Sequence, residues 1–285
     1  MDDEYYDRVF WRYIQQNIRI VGVNFLEELN IVIENSYMYM LVFVRLAAII
    51  IFNPIFSRNN IPTMLKTGLI MGATILLTPV IPIPEGYDNN AMDLILCIIR
   101  EIAVGWLLGY VLNIFFYMLS FVGDALDMQF GLSMAKVMDP GTGIESAFSG
   151  NLINLIFMVY IFITNSHLAL IQIVVSSYEL IPAGAANINI SSAVEFGIDI
   201  FTTAFSLAVR LAFPFIAVEI VLEIGMGILM KLIPQIHIFV INMQFKILAA
   251  IIMLLIMAKP ITVFIENYII IMLENLKNAL TSAVS

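Results

Sequence analysis

The sequence predicts an all-α integral membrane protein, and three observations support this fold class. Of the 285 residues, 61% are hydrophobic and only 12% are charged, whereas a soluble domain carries roughly 25% charged residues. The mean hydropathy is +0.96. Long apolar stretches follow one another with only short polar loops between them. The composition therefore excludes a water-soluble monomer.

Residues 1–36 are predicted to form an amphipathic extension ahead of the membrane-embedded part. Met1 is followed by the acids Asp2, Asp3 and Glu4 rather than by the basic start of a signal peptide. Apolar residues then recur every three or four positions, which is the period of an amphipathic helix: Phe10, Ile14, Ile18, Val21, Phe25, Leu29 and Val32. Such a helix lies at a membrane surface or packs on a partner protein, and the sequence favours neither.

Residues 37–285 are predicted to form a single membrane-embedded helical domain with about six hydrophobic segments. About 20 apolar residues in a helix cross a bilayer. The segments are 37–52, 67–83, 102–123, 146–178, 196–230 and 247–271. The fourth segment is uncharged but is interrupted by Thr-Asn-Ser-His at 164–167. Four hydrogen-bonding side chains in a row predict a helix break or a tight helical hairpin.

Several classes of function are disfavoured by the titratable residues. A formal net charge of −9 argues against nucleic acid as a partner. Cys97 is the single cysteine, and His167 and His237 lack metal-ligand spacing. Ser166 and His167 would point about 100° apart on a helix, which argues against a catalytic pair. We therefore expect no metal, no cofactor and no enzymatic activity.

Ionisable residues occur inside the apolar segments, where each costs at least about 2.5–3.5 kcal/mol on insertion scales. They are Arg45, Asp199, Arg210, Glu219 and Glu223. One polar stripe on a helix is predicted for Asp199, Thr203, Ser206 and Arg210, with Glu219 and Glu223 on roughly the opposite side. These groups indicate a hydrated conduit or a subunit interface, and internal ion pairs within one bundle are the alternative.

Glycines spaced four residues apart predict close helix packing in two places. Glu101 is followed by Gly105-x3-Gly109, and an earlier segment contains Gly68-x3-Gly72. Such small residues let two helix backbones approach closely. We therefore assign Glu101, Gly105 and Gly109 to a helix-packing or subunit interface.

Residues 122–141 form the most informative connection. This stretch is too apolar for a solvated loop and too rich in glycine and polar groups for a spanning helix, so irregular backbone is predicted here, buried in protein or lining a cavity. Methionine side chains are unbranched and adaptable. The stretch is either a compliant plug in a pore or a helix–helix connector. Its candidate residues are Gly123, Asp127, Met128, Gln129, Gly131, Met134, Asp139 and Pro140.

An ordered series of motifs runs through most of the chain. It comprises Arg45 with Pro54, Pro62 and Lys66; Glu101-x3-Gly105-x3-Gly109; Gly123-x5-Gln129-x-Gly131-Leu-Ser133 with Asp139-Pro140; Asn165-x-His167, Ser177 and Ile181-Pro182-x-Gly184; Leu211-Ala-Phe-Pro214; and Lys231-x2-Pro234-Gln235 with Phe239 and Lys246. In order and spacing the series resembles the FliR family of flagellar biosynthetic proteins and its counterparts in type III secretion.

The resemblance implies a structural subunit of an export gate in the bacterial inner membrane, within a flagellar basal body or an injectisome base. It implies bent helical hairpins in a hetero-oligomeric assembly with FliP-type and FliQ-type subunits, contact with an FlhB-type subunit, and passage of unfolded export substrates. The loop at 123–140 would plug the resting pore, and Pro234 and Gln235 would lie at a packing interface. The residues alone leave a secondary transporter as the rival, which would use the intramembrane charges.

Overall fold

The computed structural model describes residues 36–56, 61–81, 91–133, 148–184, 190–233 and 238–282. Within these ranges the chain forms seven α-helices, a short 3₁₀ turn at Thr78–Val80, and no strand. The helices are α1 Ser36–Ile51, α2 Thr63–Leu77, α3 Ala91–Gln129, α4 Phe148–Ile163, α5 Ser166–Leu180, α6 Ile190–Leu232 and α7 Ile238–Ser282. The all-α prediction is confirmed. The predicted extension, residues 1–36, lies outside the described residues except for Ser36.

Among the described residues, four stretches are long and apolar enough to cross a membrane. They are Thr63–Val80, Met92–Gln129, Ser191–Leu232 and Ile241–Ser282. The pair α4 and α5, bent by 75°, makes a fifth if it counts as one span. At 16 residues α1 is shorter than a span. The six predicted segments therefore correspond to helices, but not to six equal crossings.

The bend between α4 and α5 falls at the predicted polar interruption. Asn165 adopts a left-handed backbone conformation with φ of 56°, which asparagine tolerates better than most residues. Thr164 Oγ1 donates to the carbonyl oxygen of Tyr160 at 2.7 Å and lies 2.8 Å from Ser166 Oγ. The polar side chains thus satisfy local groups at the break, and the predicted interruption is confirmed.

The prediction of irregular backbone from residue 122 is wrong as far as Gln129, because α3 continues through this stretch. Its buried face persists at helical spacing, with Leu119, Val122, Leu126 and Phe130 each at most 1% exposed. The helix ends before Gly131, whose φ of +75° is typical of a residue that terminates a helix. Core packing outweighed the local glycine and polar signals.

The long helix α3 is the centre of the fold and packs against α1, α4, α6 and α7. The neighbours α1 and α6 run parallel to it, and α4 and α7 run antiparallel. For α1 the direction follows from the contacts Ala48 with Gly105 and Phe52 with Gly109, and for α6 from Tyr110 with Gly197 and Phe130 with Phe215. For α4 it follows from Phe116 with Phe157 and Gly123 with Gly150, and for α7 from Phe115 with Tyr268 and Gly131 with Met243.

Candidate functional site

A fully buried ion pair joins α1 to α3. The Arg45 Nε atom lies 2.5 Å from Glu101 Oε2, and Arg45 Nη2 donates to Glu101 Oε1 at 3.0 Å. Both side chains are completely inaccessible to solvent. Two parallel N–H···O bonds of this kind fix the relative orientation of both groups. Arg45 and Glu101 therefore form an internal ion pair of this chain.

The last turn of α5 and the turn that follows it complete the hydrogen bonding of this pair. Arg45 Nη1 donates to the carbonyl oxygens of Ser177 at 3.1 Å and Ile181 at 3.0 Å. The backbone N–H of Gly184, whose φ is +78°, donates to Glu101 Oε1 at 2.7 Å. We call Arg45, Glu101, Ser177, Ile181 and Gly184 the Arg45 network. Ser177, Ile181 and Gly184, which lie close together in the motif series, therefore share one structural role.

Two further groups around the Arg45 network were missed by sequence reasoning. The guanidinium carbon of Arg45 lies 4.3 Å from the centre of the Tyr178 ring, which adds a cation–π contact. The Tyr178 hydroxyl donates to the carbonyl oxygen of Val42 at 3.3 Å. A tyrosine next to Ser177 in an apolar helix is too common a sequence feature to have indicated that Tyr178 contacts Arg45.

Glycines bring the helix backbones together around α3. A Cβ atom added at Gly105 would lie 2.5 Å from Ala48 Cβ, and one at Gly109 would lie 2.5 Å from Phe52 Cβ. A Cβ atom added at Gly123 would overlap the backbone of Gly150 in α4. At Gly68 and Gly72 nothing lies within 4 Å, so the close approach predicted there is not made among the described residues.

Asp127 links the end of α3 to the start of α4. Its side chain is fully buried and accepts hydrogen bonds from the backbone N–H groups of Phe148 at 2.6 Å and Ser149 at 3.1 Å. A carboxylate here satisfies N–H groups that have no partner inside α4 and complements the helix dipole. Asp127 therefore holds the first residues of α4 next to the last turns of α3.

The structure separates the predicted plug residues into different environments. Gly123 and Asp127 are packed between helices, whereas Met128 is 70% exposed. Gln129 and Gly131 are partly buried at the end of α3. Met134, Asp139 and Pro140 lie outside the described residues.

The predicted polar stripe lies on the outside of α6. Asp199, Ser206 and Arg210 are exposed and Thr203 is partly buried, while the opposite face of the helix is buried at Ile200, Ala204, Ala208, Leu211 and Phe215. Within the described ranges neither Asp199 nor Arg210 has an ion-pair partner. For these two residues, the alternative of internal ion pairs does not hold in this part of the chain.

The remaining charges of α6 behave differently. Glu223 forms an ion pair with Lys246 of α7 at 2.5 Å, so the internal alternative does hold there. Glu219 is 1% exposed, and no described group donates a hydrogen bond to either of its carboxylate oxygens. Pro234 and Gln235 lie outside the described residues.

An apolar groove of about 530 Å³ lies between α3 and α6, lined by Trp106, Leu107, Tyr110, Ala193, Val194, Gly197, Ile198 and Phe201. It contains no charged side chain, so it offers nothing to hold a charged substrate. Among the described residues, no group of three or more His, Cys, Asp or Glu side chains is placed to bind a metal ion.

Comparisons with known proteins agree with the motif series. Residues 36–270 match the sequence model of the family described as bacterial export proteins, family 1. The flagellar biosynthetic protein FliR of Bacillus subtilis (strain 168) is 25% identical over 254 residues, covering 88% of this chain and 98% of that protein. FliR of Escherichia coli (strain K12) is 26% identical, with 82% and 88% covered. The Yop proteins translocation protein T of Yersinia pestis is 25% identical, with 73% and 80% covered.

Proposed function

We propose, from the premise that this chain belongs to the family of bacterial export proteins, family 1, that it is a structural, non-enzymatic subunit of a protein export gate. The chain is a membrane-embedded component of a flagellar or type III export apparatus. In the proposed role it helps to form and to plug the channel through which unfolded substrates leave the cell. The gate lies in the bacterial inner membrane, within a flagellar basal body or an injectisome base.

The observation that carries the plug assignment is the Asp127 link. By holding Phe148 and Ser149 against the end of α3, it brings together the two helix ends that the segment 130–147 connects. Met128 is exposed beside this link, and Met134 and Met138 belong to the connecting segment of the sequence. A connection between two adjoining helix ends that is rich in adaptable methionine side chains suits a seal that must close around varied chains.

Membership of a larger assembly is supported by the lengths and charges of α6 and α7. These helices have 43 and 45 residues, so each is about 65 Å long, roughly twice the thickness of the hydrocarbon core. Exposed Asp199 and Arg210 on α6 would be costly against lipid. FliP-type and FliQ-type subunits, with an FlhB-type subunit in contact, are the partners that we propose to surround these helices.

Ion leakage through the assembled gate tests the seal. In planar-bilayer recordings, the variant Met128→Ala/Met134→Ala should pass more ions than the wild type, because two flexible side chains that fill the pore are shortened. Met92→Ala is the matched control, since Met92 is 73% exposed but lies at the opposite end of α3. Unchanged leakage in the double variant, or an equal increase in the control, would overturn the seal assignment.

The alternative of a secondary transporter differs from the export-gate proposal in what it predicts for the isolated chain. A chain that mediates solute flux when purified and reconstituted alone would support the rival, whereas the export-gate proposal expects no such flux without the other subunits.

A further inference from the structure

The outward face of α6 carries a polar pattern that the described residues leave uncovered. We call Asp199, Thr203, Ser206 and Arg210 the outer stripe. At 100° per residue these four positions fall within about 60° of one another on the helix, and they lie opposite the buried face that carries Ala204 and Ala208. The stripe therefore faces away from the core around α3.

Contact between this face and lipid would be energetically unfavourable. Asp199 and Arg210 belong to the stretch Ser191–Leu232, which is long and apolar enough to be a membrane span. Intramembrane charges are found facing protein or water and are paired where possible. Asp199 and Arg210 are separated by eleven residues, about 16 Å along the helix, so they are too far apart to neutralise each other.

We propose that the outer stripe seats one helix of a different subunit, which carries a basic side chain level with Asp199 and an acidic side chain level with Arg210. This inference rests on the proposed function and specifies the chemistry of the partner. The hydroxyl groups of Thr203 and Ser206 lie between the two charges, and small polar side chains permit close approach and hydrogen bonding between membrane helices. Complementary charges at both ends then fix the register of the partner helix.

A second copy of this chain does not meet these requirements. The stripe is self-complementary only in an antiparallel pair, where Asp199 would face Arg210 and Thr203 would face Ser206. Two copies inserted into the membrane in the same orientation bring their α6 helices together in parallel. Asp199 would then face Asp199, and Arg210 would face Arg210, which is repulsive. Between these two occupants, the charge pattern therefore favours a helix of another sequence over a second copy of this chain.

Charge reversal in a co-expressed assembly tests the inference. The chain is tagged, co-expressed with FliP-type and FliQ-type proteins from the same organism, and the recovered complex is quantified. Asp199→Arg and Arg210→Asp should each reduce recovery by more than about tenfold, because each sets like charges against each other in a desolvated contact. Asp199→Glu and Arg210→Lys are the matched controls that keep the charge, and they should assemble.

Two further measurements distinguish the proposed partner helix from a second copy of this chain and from water at this face. The variant Asp199→Arg/Arg210→Asp should also fail to assemble, and restored recovery would instead indicate a second copy in antiparallel pairing and overturn the proposal. In a Cys97→Ala background, Ser206→Cys should resist a charged methanethiosulfonate reagent in the assembled gate. Labelling there would show that the stripe lines water, and the proposal would fall.

The isolated chain supplies the control for folding. Since Asp199 and Arg210 are exposed, the reversal variants purified alone should melt within about 2 °C of the wild type. Loss of assembly with preserved melting supports the proposal. If the wild type assembles and the reversal variants assemble equally well, the stripe inference fails while the gate proposal stands. If the wild type itself does not assemble, both fail.

Discussion

The Arg45 network and the outer stripe of α6 both place charges inside an apolar helical protein, but among the described residues only the first is complete. Arg45 and Glu101 are fully buried and are matched by each other and by backbone groups of Ser177, Ile181 and Gly184. Asp199 and Arg210 are exposed, and no described residue pairs with them. A charge in an apolar environment needs a partner. In the Arg45 network the described residues supply it, and in the outer stripe they do not.

The difference separates folding from assembly. A buried charge must have its partners present when the chain folds, because an unpaired one is strongly destabilising. An exposed charge at membrane depth can obtain its partner later, from another subunit. Substitutions in the two regions should therefore affect different measurements: the stability of the isolated chain in the first region, and recovery of the complex in the second.

The largest effect on the isolated chain is expected from breaking the buried pair. Arg45→Met or Glu101→Leu alone should lower the free energy of unfolding by about 3–5 kcal/mol, because each leaves one uncompensated buried charge. The double variant should be less damaging than the sum of the two. Denaturation of the detergent-solubilised chain measures all three variants. Purely additive losses would show that the two charges do not act as a pair.

A smaller loss is expected where α3 and α4 touch. Gly123→Ala should cost about 1–3 kcal/mol of unfolding free energy, because the new Cβ atom would overlap the backbone of Gly150. Gly68→Ala is the matched control on α2, where nothing lies within 4 Å, and it should stabilise the helix by about 0.5–1 kcal/mol. Thermal melting in detergent compares the two, and equal shifts would contradict the close packing described here.

A still smaller contribution to stability is expected from the Asp127 link. Asp127→Ala should lower the free energy of unfolding by about 1–2 kcal/mol, since it leaves two N–H groups at the start of α4 without a side-chain acceptor. Asp127→Asn keeps an acceptor oxygen and should lose less. Denaturant titration tests the ranking, and an asparagine variant as unstable as the alanine variant would contradict the capping role.

The smallest effect on the isolated chain is expected in the outer stripe. Asp199→Asn should change the free energy of unfolding by less than about 0.5 kcal/mol, because surface substitutions away from caps and networks rarely do more. The same denaturation assay measures it. A loss comparable to that of Arg45→Met would mean that Asp199 has an internal partner, and the contrast between the two regions would disappear.

The sequence predicted those features that depend on local pattern. Hydropathy located the helices, the polar run at 164–167 located the 75° bend, and the helical period placed Asp199 and Arg210 on one face. It failed at 122–129, because Gly123 and Asp127 look like helix breakers until Gly150 and the N–H groups of Phe148 and Ser149 are brought beside them.

The contacts between residues far apart in the chain could not be predicted from one sequence. Arg45 and Glu101 are 56 residues apart, and Gly184 is 83 residues from Glu101. Nothing local in the sequence links them, because the contact depends on α1 and α3 packing in parallel and on the turn after α5 folding back. The motif series indicated that these residues matter without showing that they form one network.

Native mass spectrometry is the most direct test of the central claim, that other subunits complete the charges on α6 that the described residues leave unpaired. The tagged chain would be co-expressed with FliP-type and FliQ-type proteins from the same organism and extracted in detergent. The account predicts one defined assembly that contains all three proteins and is lost in Asp199→Arg. A chain recovered alone or only as a homodimer, with both partners well expressed, would contradict it.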